Sequence, residues 1–263
     1  MAITRKSQAE IAKMRSAGRI VAEVLALVEG AIRPGASTAE IDALADRHIR
    51  EAGGIPSFVG YIGGRRYNPD DPRAYRWATC ISIDHEIVHG IPGDRELVAG
   101  QVVSVDVGVI WHDWNGDGAR SFICGGPEAA TPATAGLVEA TRLAMMAGIA
   151  AARPGNHVGD IGAAVEDIAT ERGYGVVRGY TGHGIGRDMH EDPAVPNFRA
   201  RDRGIRLEPG HCLAIEPMFT LGHEETALMP DRWTVVTVDG SLAAHFEHTV
   251  AITAEGAEIL TRV

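Results

Sequence analysis

The feature that most constrains this chain is an internal repeat. Arg33-Pro34-Gly35 and Arg153-Pro154-Gly155 lie 120 residues apart, and the same offset places Glu40-Ile41 on Asp160-Ile161, Glu51 on Glu171 and Gly53 on Gly173. Further on, His89-Gly90-Ile91 recurs as His183-Gly184-Ile185, and Leu97-x-x-Gly100-x5-Asp106 recurs as Leu207-x-x-Gly210-x5-Glu216. The offset changes between blocks, as loops of unequal length require. Three matches in one order point to a duplicated α+β half. Two related halves around a pseudo-twofold axis make a cleft, with equivalent carboxylates facing one another. Residues 1–263 then read as a single catalytic domain with halves of about 1–125 and 126–263.

Local signals fill in each half. Ser7 with Glu10 forms a capping-box pattern ahead of apolar residues at helical spacing, so a helix is predicted to about Ala31. Ser37 with Glu40 opens a second, reaching about Ala52. Thr131 and Pro132 start a third, to about Ala152, and a fourth covers Val158–Arg172. Strand-like runs are Ala78–Ile87, Val102–Ile110, Arg120–Cys124, Gly175–Tyr180, Cys212–Ile215, Trp233–Val238 and Ala244–Thr253. Residues 62–77 are rich in Gly, Pro, Asp and Arg and read as an irregular loop, a solvated insertion before a lid or pocket wall.

Composition removes several classes. No apolar run is long enough to cross a membrane, and the opening MAITRKSQAE has no signal-peptide core. Cys80, Cys124 and Cys212 are odd in number and form no C-x-x-C, which argues for a reducing cytoplasm and against a disulfide framework. A net charge of −10 argues against broad nucleic-acid binding.

Residues 85–89, HEIVH, match the H-E-x-x-H zinc-protease pattern, which needs a helix to bring both histidines to one metal. The surrounding ISIDHEIVHGIP is β-branched, alternates with period two and ends at Gly90 and Pro92, so a strand is predicted and the match is read as accidental. On the repeat, the partner of His89 is His183.

A different cluster carries metal chemistry. Asp106 ends the apolar run VVSVD, and Asp117 follows eleven residues later, a spacing that suits a hairpin. Glu216 ends CLAIE, and Glu247 leads into another strand. The acids form two related pairs, Asp106/Glu216 and Asp117/Glu247. His183 sits between glycines in TGHGIG. Singly, each acid is an ordinary strand-end residue in a salt bridge. Together, four converging carboxylates cannot all ionise without cations. With one histidine they can hold two divalent ions, and oxygen-rich ligation suits Mn, Fe or Co at least as well as Zn. His89 and His190 fall near this site and could polarise a substrate amide. His112, His157, His211, His223, His245 and His248 carry no usable pattern.

These residues resemble the type I methionine aminopeptidases, of the duplicated pita-bread metallopeptidase fold. The resemblance covers essentially the whole chain, through EIAKMRSAGRIVAEVL, RPGASTAEID, HGIP, VVSVDVGVI with NGDGA, GYTGHGIGRDMHEDP, PGHCLAIEPM and RWTVVTVDGSLAAHFEHTVAIT. It implies an α+β fold of two pseudo-symmetric halves, with antiparallel sheet and a central dimetal cleft. It implies that Asp106, Asp117, His183, Glu216 and Glu247 ligate two divalent metals (Co, Mn, Fe or Zn), with Asp117 and Glu247 bridging. Glu216 would also be the general base for the metal-activated water. His89 and His190 would contact the scissile peptide, while Tyr61, Cys80, Met189 and Trp233 would line the methionine pocket. The implied activity removes N-terminal methionine from peptides and nascent proteins before small second residues. It would be exercised by a cytoplasmic monomer, with transient ribosome contact and neither membrane nor nucleic-acid specificity. Another pita-bread peptidase of Xaa-Pro type, or a weakly active binding paralogue, is the alternative. The chain departs from the family pattern at Asp84-His85, Val88, Gly108 and Gly118.

Overall fold

A computed structural model describes residues 3–63 and 67–263. Four helices carry the outside of the molecule: α1 Gln8–Glu29, α2 Thr38–Glu51, α3 Pro132–Ala151 and α4 Val158–Arg172. Each starts where its capping chemistry says it should. The Ser7 N–H donates to Glu10 Oε2 at 2.8 Å, and the Ser37 N–H donates to Glu40 Oε2 at 3.0 Å. Thr131 Oγ1 accepts from the Thr134 N–H at 3.1 Å.

The repeat has a physical counterpart in these caps. At α4 the His157 N–H donates to Asp160 Oδ2 at 2.8 Å, so Asp160 does for α4 what Glu40 does for α2. Ile41 and Ile161 beside them are both fully buried. Gly35 and Gly155 share a left-handed backbone (φ 81° and 94°), a conformation that costs a side-chain-bearing residue energy. From there the Gly35 N–H donates to Leu97 O at 2.8 Å, and the Gly155 N–H donates to Leu207 O at 2.9 Å. Two of the three matched blocks are therefore bonded to each other, in the same way, in each half.

In the first half, strands Thr79–Ile83, Val102–Trp111 and Trp114–Ile123 form one antiparallel sheet, edged by Ile55–Pro56. α1 and α2 cover it with Ile20, Val24, Ile41 and Ile49, against Ile81, Val103, Val105 and Val107. In the second half, Gly182–Gly184, Glu191–Val195, Cys212–Ile215, His248–Ile252 and Ala257–Ile259 form a five-stranded sheet. Ile149, Val158 and Ile161 of α3 and α4 pack on its Leu213, Ile215 and Val250.

The structure redraws several expected runs. Ala78–Ile87 is not one strand but two, Thr79–Ile83 and Glu86–Val88, which pair in different sheets and are separated by a turn at Asp84 and His85. Asp84 takes a positive φ of 58° and accepts the Val102 N–H at 3.0 Å and the Gln101 amide at 2.9 Å. Ala244–Thr253 is broken at Phe246 and Glu247. The strand expected to begin at Arg120 begins at Trp114, so Asp117 lies within it. Of the expected Gly175–Tyr180 strand only Gly175–Val176 forms. The segment 62–77, read as a solvated insertion, is in part a wall. Ala74 and Tyr75 are buried, and the Tyr75 hydroxyl donates to Thr79 O and Gly90 O. Residues 64–66 lie outside the described residues.

The glycines flanking His183 permit close backbone approach. A Cβ on Gly184 would overlap the Asp192 carbonyl, which belongs to the chain itself and cannot swing away. Gly184→Ala is expected to destabilise the protein by about 1–3 kcal/mol, read as a lower unfolding midpoint in urea. An unchanged midpoint would mean that the strand is looser than its packing implies.

Candidate metal centre

Asp106 and Asp117 come from adjacent strands of one hairpin. Asp106 pairs with Ala119, and Asp117 pairs with Gly108. Residues directly opposite share a face, and so do residues two apart along a strand, so both carboxylates point to the same side on a diagonal. Gly108 leaves the space facing Asp117 open, and the side chain of Met189 takes it. A Cβ on Gly108 would lie 2.6 Å from Met189 Cε.

Glu216 and Glu247 occupy the two breaks in the second half. Glu216 follows Cys212–Ile215, and Glu247 precedes His248–Ile252, strands that pair through Ile215 and His248. The halves meet here through the main chain. The Glu247 N–H donates to Ala119 O at 2.9 Å, and the Ala119 N–H returns to Glu247 O at 3.3 Å. The Asp117 N–H donates to Thr249 Oγ1 at 2.9 Å, while the Thr249 hydroxyl donates to Asp117 O at 2.8 Å. His183 completes the group from Gly182–Gly184. Its Nδ1 contacts Gly184 O at 2.9 Å, which fixes the proton there. Nε2 then faces Glu216 Oε1 at 3.5 Å and Asp117 Oδ2 at 4.0 Å. An imidazole held at one nitrogen by a carbonyl presents the other as a ligand.

One cavity is lined by all eleven residues singled out in the sequence: Asp106, Asp117, His183, Glu216, Glu247, His89, His190, Tyr61, Cys80, Met189 and Trp233. Phe58 and Tyr75 also line it. Sequence reading missed both, although an aromatic residue within the polar 62–77 segment was a usable signal for Tyr75.

Burial raises all four acids above the usual carboxylate range. Asp117 is pushed up to about 7. Asp106, Glu216 and Glu247 stand well above their ordinary values, through burial first and the neighbouring carboxylates second. Burial, aided by His190, lowers His183 to about 3 and His89 to about 4. Burial thus disfavours the charged form of both partners in the His183–Glu216 contact. No Lys or Arg among the described residues lines the cavity. Asp106 Oδ1 and Glu247 Oε1 are fully buried without a hydrogen-bond partner. Atoms of Asp117, His183 and Glu247 lie within 4.8 Å of one another, as do atoms of Glu216, His245 and Glu247. Buried acids with orphaned oxygens and no side-chain cation are the donor set of divalent metal ions. His245 in the second group carried no sequence signal.

Around this centre sit the polarising groups and an apolar wall. His190 stacks on Tyr61, with the Tyr61 hydroxyl 3.0 Å from its Nδ1 and the His183 ring 4.2 Å away. His89 has a positive φ of 60° and meets Tyr180 edge to face. Phe58, Tyr75, Cys80 and Met189 form one buried cluster, with Trp233 against it. The HEIVH match is accidental. Glu86–Val88 is a strand, and His85 is exposed on the turn before it. His85→Ala is expected to leave zinc affinity in calorimetry unchanged within about twofold; a loss above about tenfold would revive the zinc-protease pattern.

Fold and site together define a metallohydrolase of the pita-bread class. Residues 12–254 match the model of metallopeptidase family M24. Methionine aminopeptidase 1 of Bacillus subtilis (strain 168) is 42% identical over 258 residues, covering 98% of each chain. Methionine aminopeptidase 1 of Mycobacterium tuberculosis (strain CDC 1551 / Oshkosh) is 44% identical, covering 98% of this chain and 95% of its own. Among solved structures, a methionine aminopeptidase of Thermotoga maritima superposes with a TM-score of 0.92 at 38% identity over the full length of both chains. A prolidase of Pyrococcus furiosus shares the fold at a TM-score of 0.74 and 22% identity, covering 98% of this chain and 65% of its own. The chain belongs to metallopeptidase family M24, in its type I methionine aminopeptidase branch.

Proposed function

We infer that the protein is a metal-dependent aminopeptidase that releases the N-terminal methionine of peptides and nascent proteins. The observation that carries the site is the set of four buried carboxylates and His183 around one cavity, with orphaned oxygens and no cationic side chain. The relatives carry the substrate class. Asp106, Asp117, His183, Glu216 and Glu247 are proposed as the ligands of two divalent cations. Such cations lower the pKa of water and polarise a peptide carbonyl.

The chain's own groups do the rest. Glu216 takes the proton of the attacking water, whose oxygen adds to the scissile carbonyl carbon. The carbon–nitrogen bond then breaks, and the proton passes to the amine of the second residue. With the Tyr61 hydroxyl donating to His190 Nδ1 at 3.0 Å, the imidazole carries its proton on Nε2 and donates it to the peptide carbonyl. His89, in the same cavity, also contacts the scissile peptide. Phe58, Tyr75, Cys80, Met189 and Trp233 enclose the methionine side chain, and Tyr61 closes the pocket. Their aromatic edges and sulfur atoms suit a thioether.

Residues 1–263 are read as one catalytic domain. A small second residue, action as a monomer, a cytoplasmic location and brief contact with the ribosome belong to the same proposal. No helix among the described residues is long and apolar enough to cross a membrane.

The test is methionine release from Met-Ala-Ser and from Met-Gly peptides by metal-stripped protein, with Mn, Co, Fe and Zn added back separately. Metal-dependent release is expected. Release from an Xaa-Pro peptide alone would favour the prolidase-like alternative, and none from any peptide, with the protein folded, would favour a binding role.

A further inference from the structure

His245 is the buried polar side chain at this centre that the mechanism above does not use. It is 1% exposed, and its Nε2 is fully buried without a hydrogen-bond partner. That nitrogen lies 3.7 Å from Glu216 Oε2. The other oxygen of the same carboxylate, Oε1, lies 3.5 Å from His183 Nε2. Glu216 is thus flanked by two imidazoles, one at each oxygen. They differ in place: His183 lines the cavity, whereas His245 is not among the lining residues and stands behind the carboxylate.

The main chain of His245 is held unusually firmly. It pairs with Met218, two residues after Glu216, so both side chains belong to one short antiparallel arch. Its N–H donates to Ser121 Oγ at 2.9 Å, and the Ser121 hydroxyl donates back to His245 O at 2.9 Å. Ser104, paired with Ser121 across the first-half sheet, supplies a third bond to that hydroxyl at 2.7 Å. Both serines are buried. Two buried hydroxyls of the first half therefore fix one histidine of the second.

We propose that His245 is a positioning residue for Glu216, donating from Nε2 to Oε2 and so turning Oε1 toward the cavity. The inference rests on reading Glu216 as part of the metal centre. A shift of less than about 1 Å brings the two atoms to hydrogen-bond distance. Partners behind a metal-bound carboxylate fix its rotation, and their removal weakens metal binding. A neutral imidazole supplies this bond without placing a second positive charge beside the cations.

The test uses metal-stripped full-length protein, with zinc as the probe and calorimetry as the readout. His245→Leu, which cannot donate, is expected to weaken zinc binding about 10–100-fold. His245→Gln, whose amide can donate, is expected to stay within about threefold of the parent. His245→Met serves if the leucine variant does not fold. Zinc binding unchanged in the leucine variant would overturn the proposal, leaving His245 as packing. A glutamine variant as weak as leucine would also overturn it, because the imidazole itself would then be required. Nitrogen-15 NMR of the histidine-labelled parent gives an independent reading. His245 Nε2 is expected to carry a proton both before and after zinc addition, and a zinc-bound Nε2 would make the residue a ligand and overturn the proposal. A parent protein that binds no zinc would overturn the metal-centre reading as well, a result distinct from the others.

Discussion

Asp117→Ala is expected to abolish metal-dependent methionine release, by roughly 10³-fold or more, while the protein stays folded. Asp117 is the residue on which both halves converge. Its carboxylate faces His183 and Glu247, and its main chain is bonded to Thr249 of the other half. Alanine keeps those main-chain bonds and removes only the carboxylate. It also takes a costly buried acid out of the metal-free protein, so the unfolding midpoint without metal should hold or rise. Activity and stability should therefore move apart. Retained activity, or a lost fold, would each contradict the role given to this residue.

Zinc affinity is expected to climb steeply with pH between about 5 and 8. A cation can enter only as the acids give up their protons. Asp117 is raised to about 7, and the other three are raised with it. His183 and His89, lowered to about 3 and 4, are neutral across this range and release nothing. Apparent affinity should therefore rise about tenfold per pH unit for each proton displaced, with the contribution of Asp117 ending above about pH 7. Calorimetry in buffers of different ionisation enthalpy counts those protons, and an affinity flat from pH 5 to 8 would show that the acids are already ionised. The same shifts act on the metal-free fold. An acid whose folded value lies above its unfolded one, near 3.9 for Asp, contributes stability below the unfolded value and loses it as pH rises through the folded one. For Asp117 that loss falls between about pH 4 and 7. The buried histidines act in the opposite direction, losing their contribution as pH falls below about 6.5. Unfolding of the metal-free protein should therefore trace an arch, and metal should stabilise it most on the alkaline side.

Much of this was legible from residue order alone. The helices start where Ser7, Ser37 and Thr131 cap them, because capping is settled within four residues. The repeat pointed to the candidate ligands because duplicated turns kept their glycines: Gly35 with Gly155, and Gly100 with Gly210, all at positive φ. What escaped depends on contacts between distant segments. Tyr75 lies in a segment that reads as solvent-exposed, yet it is buried because Phe58 and Trp233 come from elsewhere to meet it. Asp117 was expected ahead of a strand starting at Arg120, but it lies within Trp114–Ile123, and its hairpin turns at His112 and Asp113. His245 had no signal, since only the fold brings Glu216 to its ring.

The two main-chain bonds between Ala119 and Glu247 have a wider consequence. They set Asp117 and Glu247 on neighbouring extended segments, and neighbouring strands lie about 4.8 Å apart in any protein. The spacing of these two candidate ligands is thus measured out by the backbone rather than by side-chain packing. A gauge made of peptide groups does not drift as the surrounding sequence changes. Loops over the cleft can lengthen, and the apolar wall can be rebuilt for another side chain, while the spacing at the floor stays the same.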